Sequence, residues 1–174
     1  MKPTIVLDTN VLAISEGLHP GASEESAAAC VRLAARVRAG DLVVALDAAD
    51  EILTEYLRTL KQKRSSGLAV KLARRLQQRK HDPEVCRQVA ITPLSNPSGS
   101  YVQVPASIRD IDADDQKFFA VASASSDNPQ VFAGLDFEWW QRKEDLSNAG
   151  LDIQFLCADQ LFEIEKAAGG TVGP

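Results

Sequence analysis

The sequence predicts a three-layer α/β/α sandwich with a central parallel sheet. Short apolar runs rich in Val, Leu and Ile alternate with longer segments whose apolar residues recur at helical spacing. Continuous apolar runs indicate strands buried on both faces, as in a parallel sheet that helices cover on each side. The length of 174 residues suits about one domain. We therefore predict one domain over residues 1–168 and a flexible tail over residues 169–174.

The strands are predicted where apolar runs are short and bounded by polar or turn-forming residues. Four runs meet this description: Thr4–Leu7, residues 42–46, Gln130–Ala133 and residues 153–157. A further short strand is a candidate at residues 101–104, inside a loop rich in Pro, Ser and Gly.

Helices are predicted between these strands. Ser23 precedes a periodic segment that Gly40 ends, which indicates a helix over Glu24–Ala39. Asp47 follows the second strand and can cap the helix after it. The other predicted helices include residues 67–80, 112–125 and 158–168.

Composition and charge limit the classes of function. The formal net charge of −5 argues against a protein that coats nucleic acid, but an acidic metal site would still be compatible with a nuclease. The three cysteines form no CxxC or Cys/His pair, so neither a zinc site nor a disulfide framework is predicted. No signal peptide and no membrane span is recognisable, and a cytoplasmic location is the expectation.

Acidic residues lie near the predicted carboxyl edge of the sheet in four segments. Asp8 follows the first strand directly, and Glu55 lies in the helix after the second strand. Asp112 and Asp115 belong to the helix before the third strand, and Asp136 follows that strand. Open parallel sheets form their sites at this edge, and crowded carboxylates repel one another unless a cation lies between them. The pattern therefore predicts a site for Mg²⁺ or Mn²⁺, which favour oxygen ligands.

Each acid also has an ordinary structural explanation. Asp8 and Asp136 can be helix N-caps, and Glu55 can be an exposed helical residue. The acidic run at residues 112–115 can interact favourably with a helix dipole. The metal-site prediction depends on the convergence of the four segments and not on any one residue.

Three of these segments resemble the motifs of PIN-domain nucleases. IVLDTNVL at residues 5–12 resembles the first motif, an apolar strand followed by Asp-Thr-Asn. ILTEYLRTL at residues 52–60 resembles the second motif, and DADDQKFFAVA at residues 112–122 resembles the third. The resemblance extends over about residues 4–160, with the motifs in order.

The fourth segment, AGLDFEWW at residues 133–140, departs from the family pattern. Ala133 stands where the family commonly has Thr or Ser. Leu135 occupies a position that is often acidic, which leaves Asp136 as the acid of this segment. The departure affects the expected second metal position and leaves the first three acids unchanged.

The resemblance implies a PIN-like α/β/α domain that cleaves RNA with Mg²⁺ or Mn²⁺. The catalytic residues would be Asp8, Glu55, Asp115 and Asp136. These four and Asp112 would hold the metal, and Thr9 and Asn10 would support Asp8. Many bacterial members are toxins that a small antitoxin neutralises, and many are homodimers. An RNA substrate, an antitoxin and a second copy of the chain are therefore the expected partners.

Two further features could contact RNA. Residues 61–80 are the densest positive segment, and Lys71, Arg74 and Arg75 are candidate phosphate-binding residues within it. The alternative is a solvated helix face. Phe137, Trp139 and Trp140 could stack on bases, and the alternative is core packing or a protein interface.

Two other functions remain open at the level of the sequence. A non-catalytic descendant could keep the fold as a binding or scaffolding domain, and the altered fourth segment supports this alternative. Another metal-dependent phosphoesterase or a DNA-directed nuclease is also compatible, because recognition of the ribose 2′-OH leaves no readable motif.

Overall fold

The structure, a computed structural model, describes residues 2–61, 67–96 and 98–169. Its strands are β1 (Thr4–Leu7), β2 (Val43–Asp47), β3 (Cys86–Val89), β4 (Gln130–Ala133) and β5 (Ile153–Phe155). Its α-helices are α1 (Thr9–Ser15), α2 (Glu24–Ala39), α3 (Glu51–Leu60), α4 (Leu68–Gln78), α5 (Gln116–Ala124), α6 (Phe137–Gln141), α7 (Lys143–Asn148) and α8 (Ala158–Gly169). A 3₁₀ turn at Ala106–Ile108 precedes α5.

The five strands form one parallel sheet in the order β3-β2-β1-β4-β5. Strand β1 pairs with β2 on one side and with β4 on the other. The direction in which the chain adds strands therefore reverses between β1 and β4. In open parallel sheets such a reversal leaves a crevice outside the carboxyl ends of the strands, where sites form.

Helices flank the sheet, which confirms the predicted α/β/α architecture. Helices α1 to α4 contact one another, and α5 contacts β1, β2 and β4. Right-handed crossovers put the helices between β1 and β3 on one face and those between β3 and β5 on the other. The central strand β1 is buried along its whole length because both faces are covered. None of the helices that the structure describes is long and apolar enough to cross a membrane.

The sequence did not predict strand β3, and it wrongly predicted a strand at residues 101–104. Strand β3 pairs with β2 alone, so it lies at the edge of the sheet and tolerates the polar residues Arg87 and Gln88. An edge strand is hydrogen-bonded to one neighbouring strand only and is partly exposed, so it does not need a continuous apolar run. Tyr101 forms an isolated antiparallel bridge with Pro93, and the chain then turns instead of extending.

Three predicted helix boundaries shift. Helix α5 begins at Gln116 and not at residue 112, because the Asp112 side chain accepts a hydrogen bond from the Asp114 N–H at 3.0 Å and folds the acidic run into a turn. The predicted helix at residues 67–80 is the shorter α4. Gly169 belongs to α8, and the rest of the predicted tail, residues 170–174, lies outside the described residues.

Asp47 fixes the start of α3 and so determines where Glu55 lies. Its side chain is fully buried, and its two carboxylate oxygens accept hydrogen bonds from the N–H groups of Glu51 and Ile52, both at 2.8 Å. The intervening Asp50 adopts a left-handed conformation with φ of 63°. Asp47 therefore performs the predicted capping role from the last position of β2, four residues before the first residue of α3.

We expect Asp47→Ala to lower the free energy of unfolding by about 2 kcal/mol, because one buried and one partly buried N–H group lose their acceptor. Urea denaturation of the two proteins measures the difference. Asp41→Ala, at an exposed position before β2, is the matched control and should change stability by less than about 0.5 kcal/mol. Equal losses in the two variants would contradict the capping role of Asp47.

Candidate metal centre

Asp8 lies at the reversal point of the sheet. It is the N-cap of α1, and its backbone N–H donates to the carbonyl of Phe132 in β4 at 3.0 Å. Its side chain accepts hydrogen bonds from the N–H groups of Asn10 and Gly134, both at 3.2 Å, and only 3% of the residue is exposed. A capping role and a place in a metal site are therefore compatible for Asp8, since one carboxylate can serve both.

Gly134 permits the close approach between the end of β4 and the start of α1. A Cβ at this position would lie 3.0 Å from two Asn10 atoms and 3.1 Å from the Ile14 side chain. A larger residue would push the loop after β4 away from Asp8. The loop that leads to Asp136 is thereby held against the end of β1.

Asp115 and Asp136 are both held by Trp139. Asp136 is the N-cap of α6 and accepts from the Trp139 backbone N–H at 2.9 Å, while the indole N–H donates to Asp115 Oδ2 at 2.8 Å. The indole is fully buried and packs against Phe119, with ring centroids 4.7 Å apart. Trp139 thus packs in the core, as the alternative to base stacking supposed, and it also positions two acids.

Trp140 and Phe137 do not form an open stacking platform. Trp140 is half-buried against Phe155 with the rings edge to face, and its indole N–H donates to Glu165 at 2.8 Å. Phe137 is half-buried against the hydrophobic core. The described contacts of both rings are therefore contacts within the protein.

Glu55 is held separately from the three aspartates. Thr9 donates to Glu55 Oε1 at 2.5 Å, and the Lys117 ammonium lies 2.6 Å from Glu55 Oε2. Thr9 therefore contacts Glu55 and not Asp8, and Asn10 contacts Asp8 through its backbone N–H. Of the two residues that were expected to support Asp8, Asn10 binds Asp8 and Thr9 binds Glu55.

Asp112 is exposed at the rim of this region. Its side chain caps the turn at Asp114, and its charge raises the pKa of both Asp115 and Asp136. Exposure thus increases from Asp8 through the half-buried Asp115 and Asp136 to Asp112.

None of the ion pairs among the described residues involves the three inner aspartates, which we call the aspartate cluster (Asp8, Asp115 and Asp136). Burial raises the pKa of Asp8 to about 8, and the charges of Asp136 and Asp115 add to the rise. Burial also raises the pKa of Asp115 to about 7, with the charges of Asp136 and Asp112 acting in the same direction. The pKa of Asp136 is raised by burial as well. Raised pKa values of this kind mark carboxylates that a cation would stabilise.

The side chains are not arranged around a metal ion. Within the part of the chain that the structure describes, no three His, Cys, Asp or Glu side chains form a group that could hold one. The donor chemistry nevertheless suits a hard divalent cation, since all the candidate ligands are carboxylate oxygens. Mg²⁺ keeps several of its waters when it binds proteins, so one or two direct carboxylates and water-mediated contacts to the rest would suffice.

Lys71, Arg74 and Arg75 lie on α4, in the layer of helices α1 to α4. Lys71 and Arg74 are exposed, while Arg75 donates to the main-chain carbonyl of Arg38 in α2. Among the described residues, no hydrogen bond or ion pair joins these three side chains to the aspartate cluster. Residues 62–66 of the predicted basic segment lie outside the described residues.

Sequence reasoning missed Lys117, Trp139 as a positioning residue, and Gly134. Lys117 carried a signal, since it is a charged residue followed by the apolar run from Phe118 to Ala122. Trp139 and Gly134 carried no such signal, because their roles come from contacts with segments far away in the sequence.

A cavity of about 530 Å³ between α2 and α8 is lined by Ser26, Cys157 and Gln160 among others, and it does not involve the aspartate cluster.

Comparison of the chain with protein-family models, with curated proteins and with solved structures finds no match in any of the three.

We expect the metal-free protein to lose stability as the pH rises from about 4 to about 8. In the unfolded chain, Asp8 and Asp115 release their protons near the ordinary aspartate pKa of 3.8, but in the folded protein they hold them to about 8 and about 7. The folded state binds more protons over this interval, so the free energy of unfolding falls with rising pH.

Asp8→Asn should flatten this pH dependence and raise the free energy of unfolding at pH 8 by about 1–3 kcal/mol. Chemical denaturation in EDTA at several pH values measures the effect. Asp152→Asn, an exposed change next to the amino end of β5, is the control. Parallel pH profiles for the parent protein and Asp8→Asn would refute the assignment of the raised pKa to Asp8.

Proposed function

We propose that this chain is a divalent-metal-dependent endoribonuclease of the PIN type that hydrolyses RNA phosphodiester bonds at the aspartate cluster. The observation that carries the proposal is that three aspartates from separate segments converge, with raised pKa values, where the strand order reverses. The order of the motifs along the chain supports the same function. The N-cap roles of Asp8 and Asp136 do not account for the half-buried carboxyl group of Asp115.

In this proposal the aspartate cluster, with Asp112 at its rim, would hold Mg²⁺ or Mn²⁺. The bound cation would supply an activated water and neutralise charge on the phosphoryl oxygens. Gly134 and Trp139 fix the directions of the carboxylates through the hydrogen bonds at 3.2, 2.9 and 2.8 Å. Thr9 and Lys117 fix Glu55, so that this acid borders the cluster in a set position.

A non-catalytic binding or scaffolding domain is the second candidate, and one observation favours it. The segment after β4 supplies a single acid to the cluster, Asp136, and both Asp136 and Asp115 are already hydrogen-bonded to Trp139. A protein that had lost cleavage would keep these bonds and bind metal weakly. The cleavage experiment below separates the two candidates.

The purified protein should cleave labelled single-stranded RNA in Mn²⁺ or Mg²⁺ and lose this activity in EDTA. Asp8→Asn and Asp115→Asn should each lower the rate by roughly 10²-fold or more, because each removes a negative charge that would bind the cation. Asp152→Asn is the matched control and should cleave at the parent rate.

A DNA strand of the same sequence tests the substrate class in the same assay. Equal cleavage of DNA would favour a general metal-dependent phosphodiesterase. No cleavage of either strand, together with no binding of Mn²⁺ by calorimetry, would leave the scaffolding candidate.

The basic surface of α4 has its own prediction. In an Asp8→Asn background, replacing Lys71 and Arg74 with Gln should weaken binding of single-stranded RNA. The slope of log affinity against log salt should become shallower by about 1.4, since each lost phosphate contact changes it by about 0.7. Arg75 is left in place because it contacts the Arg38 carbonyl.

Replacing Lys2 and Lys166 with Gln is the charge-matched control for this binding measurement, since Lys2 precedes β1, Lys166 lies in α8 and both are exposed. An equal loss of affinity in this control would show that net charge, and not the surface of α4, determines RNA binding.

A toxin role, with an antitoxin and a homodimer as partners and the cytoplasm as location, extends the proposal. A chain of net charge −5 would associate through a specific surface more readily than through general attraction to nucleic acid. Exposed apolar side chains in α2 and α8 (Val31, Phe162 and Ile164) offer contact area for a protein partner. Sedimentation analysis of the purified chain tests the homodimer.

A further inference from the structure

Two of the three cysteines lie together in the fold, although they are distant in the sequence. Cys30 lies in α2, Cys157 directly precedes α8, and both are buried with free thiols. A side-chain hydrogen bond joins the two thiol groups, which we call the thiol pair (Cys30 and Cys157). Cys86 is buried as well, but it lies in β3, at the opposite edge of the sheet from β5, the strand that leads to Cys157. Its thiol is directed at the main-chain carbonyl of Leu76, at 3.9 Å.

Gln160 ties together the two segments that carry the thiol pair. Its side-chain oxygen accepts hydrogen bonds from the Ser23 N–H at 2.9 Å and from the Ser26 hydroxyl at 2.8 Å. Cys30 lies one helical turn after Ser26, so the two side chains share one side of α2. Cys157 lies about one turn before Gln160, at the start of α8. These bonds therefore hold the start of α8 against the side of α2 from which Cys30 projects.

A cavity gives solvent access to one member of the thiol pair. The cavity of about 530 Å³ between α2 and α8 is lined by Cys157 and by the exposed residues Glu25, Arg32 and Glu163. Cys30 does not belong to this lining. Of the two thiols, that of Cys157 is thus the one next to space that solvent and small solutes can enter.

The surroundings of Cys157 favour its thiolate, which is the form that reacts with oxidants. The hydrogen bond from Cys30 lowers the pKa of Cys157 to about 7, with a further contribution from Ser26, while burial opposes the change. Cys157 also lies at the amino end of α8, where its carbonyl accepts from the Leu161 N–H at 2.9 Å and the helix dipole favours negative charge. The same hydrogen bond and burial raise the pKa of Cys30, so Cys30 keeps its proton.

We propose that Cys157 is a site of oxidation by hydrogen peroxide and that Cys30 completes the reaction by forming a disulfide with it, between α2 and the start of α8. The inference does not depend on the proposed function. It stands on the contact between the two thiols, on the bonds of Gln160 and on the cavity beside Cys157. Disulfides that form inside cells are usually transient and sense oxidants, so this one would act as a reversible modification.

The reaction proceeds in two balanced steps. The Cys157 thiolate attacks one peroxide oxygen and the O–O bond breaks, which leaves a sulfenic acid on Cys157 and a hydroxide that takes up the proton released by the thiol. The Cys30 sulfur then attacks the Cys157 sulfur, the S–O bond breaks, and water leaves with the Cys30 proton. One peroxide is thereby reduced to two waters, and two thiols are oxidised to one disulfide.

Counting free thiols in the parent protein tests the proposal. The reduced protein is treated with a small molar excess of hydrogen peroxide, unfolded, alkylated and analysed by mass spectrometry. We expect alkylation at all three cysteines before oxidation and at Cys86 alone after it. The peptide map should then contain a bridge between Cys30 and Cys157 within one chain, and dithiothreitol should restore all three thiols.

Serine variants test the order of the two steps. In Cys30→Ser the reaction should stop at a sulfenic acid on Cys157, which dimedone labels, because the second thiol is missing. In Cys157→Ser, dimedone should not label Cys30, which keeps its proton and lies outside the cavity lining. Cys86→Ser is the matched control, since it replaces a buried cysteine outside the pair and should form the bridge at the parent rate.

The thiol count in the parent protein needs no variant, so the test stands even if a serine at a buried position prevents folding. Retention of all three thiols at peroxide concentrations that oxidise free glutathione would overturn the proposal. A bridge that includes Cys86, or one that links two chains, would overturn it as well. Dimedone labelling of Cys30 in Cys157→Ser, without labelling of Cys157 in Cys30→Ser, would overturn the assignment of Cys157 as the oxidised residue.

Discussion

The parallel pairing of β1 with β4 is the contact on which the rest of the site depends. The Asp8 N–H donates to Phe132 in β4, and the Gly134 N–H donates back to the Asp8 carboxylate. These two bonds set Asp8 beside the segment that leads to Asp136. The strand order reverses at this pair, so no crossover connection passes over the carboxyl ends of β1 and β4. This leaves a crevice in which side chains from several segments can lie.

Trp139 contributes both to the packing of the core and to the positions of two carboxylates. Its ring fills the core against Phe118 and Phe119, while its backbone N–H and its indole N–H each bind one aspartate. Buried indoles need a hydrogen-bond partner, and here the partner is Asp115. A change in core packing around this ring would therefore move two carboxylates at once.

The acids differ in charge compensation: Glu55 forms an ion pair with Lys117, whereas no described ion pair involves the aspartate cluster. The ion pair of Glu55 with Lys117 is nearly buried, so its charges are compensated locally. The aspartate cluster gathers carboxyl groups in a poorly solvated place, and burial raises the pKa values of all three. Regions that carry such an unfavourable arrangement are often sites of function, since binding of a counter-charge removes the cost.

The sequence by itself determined the fold class and the positions of the acids. Buried parallel strands read as continuous apolar runs, so β1 and β4 were predicted within their observed bounds, and the acids that follow them were placed at one edge. Helix α2 was predicted from Ser23 and Gly40, which carry local capping signals. The edge strand β3 was not predicted, because a strand that pairs on one side only does not need an apolar run.

Only the tertiary structure decided how these acids are held. The pairing of Glu55 with Lys117, the second role of Trp139 and the close approach at Gly134 all join segments that are distant in sequence. Periodicity within a segment reports which face of an element is buried, and it carries no information on which side chain of another element lies opposite. That choice is made by the packing of α3, α5 and α6 above the strand ends, where partners are set by distance and not by spacing along the chain.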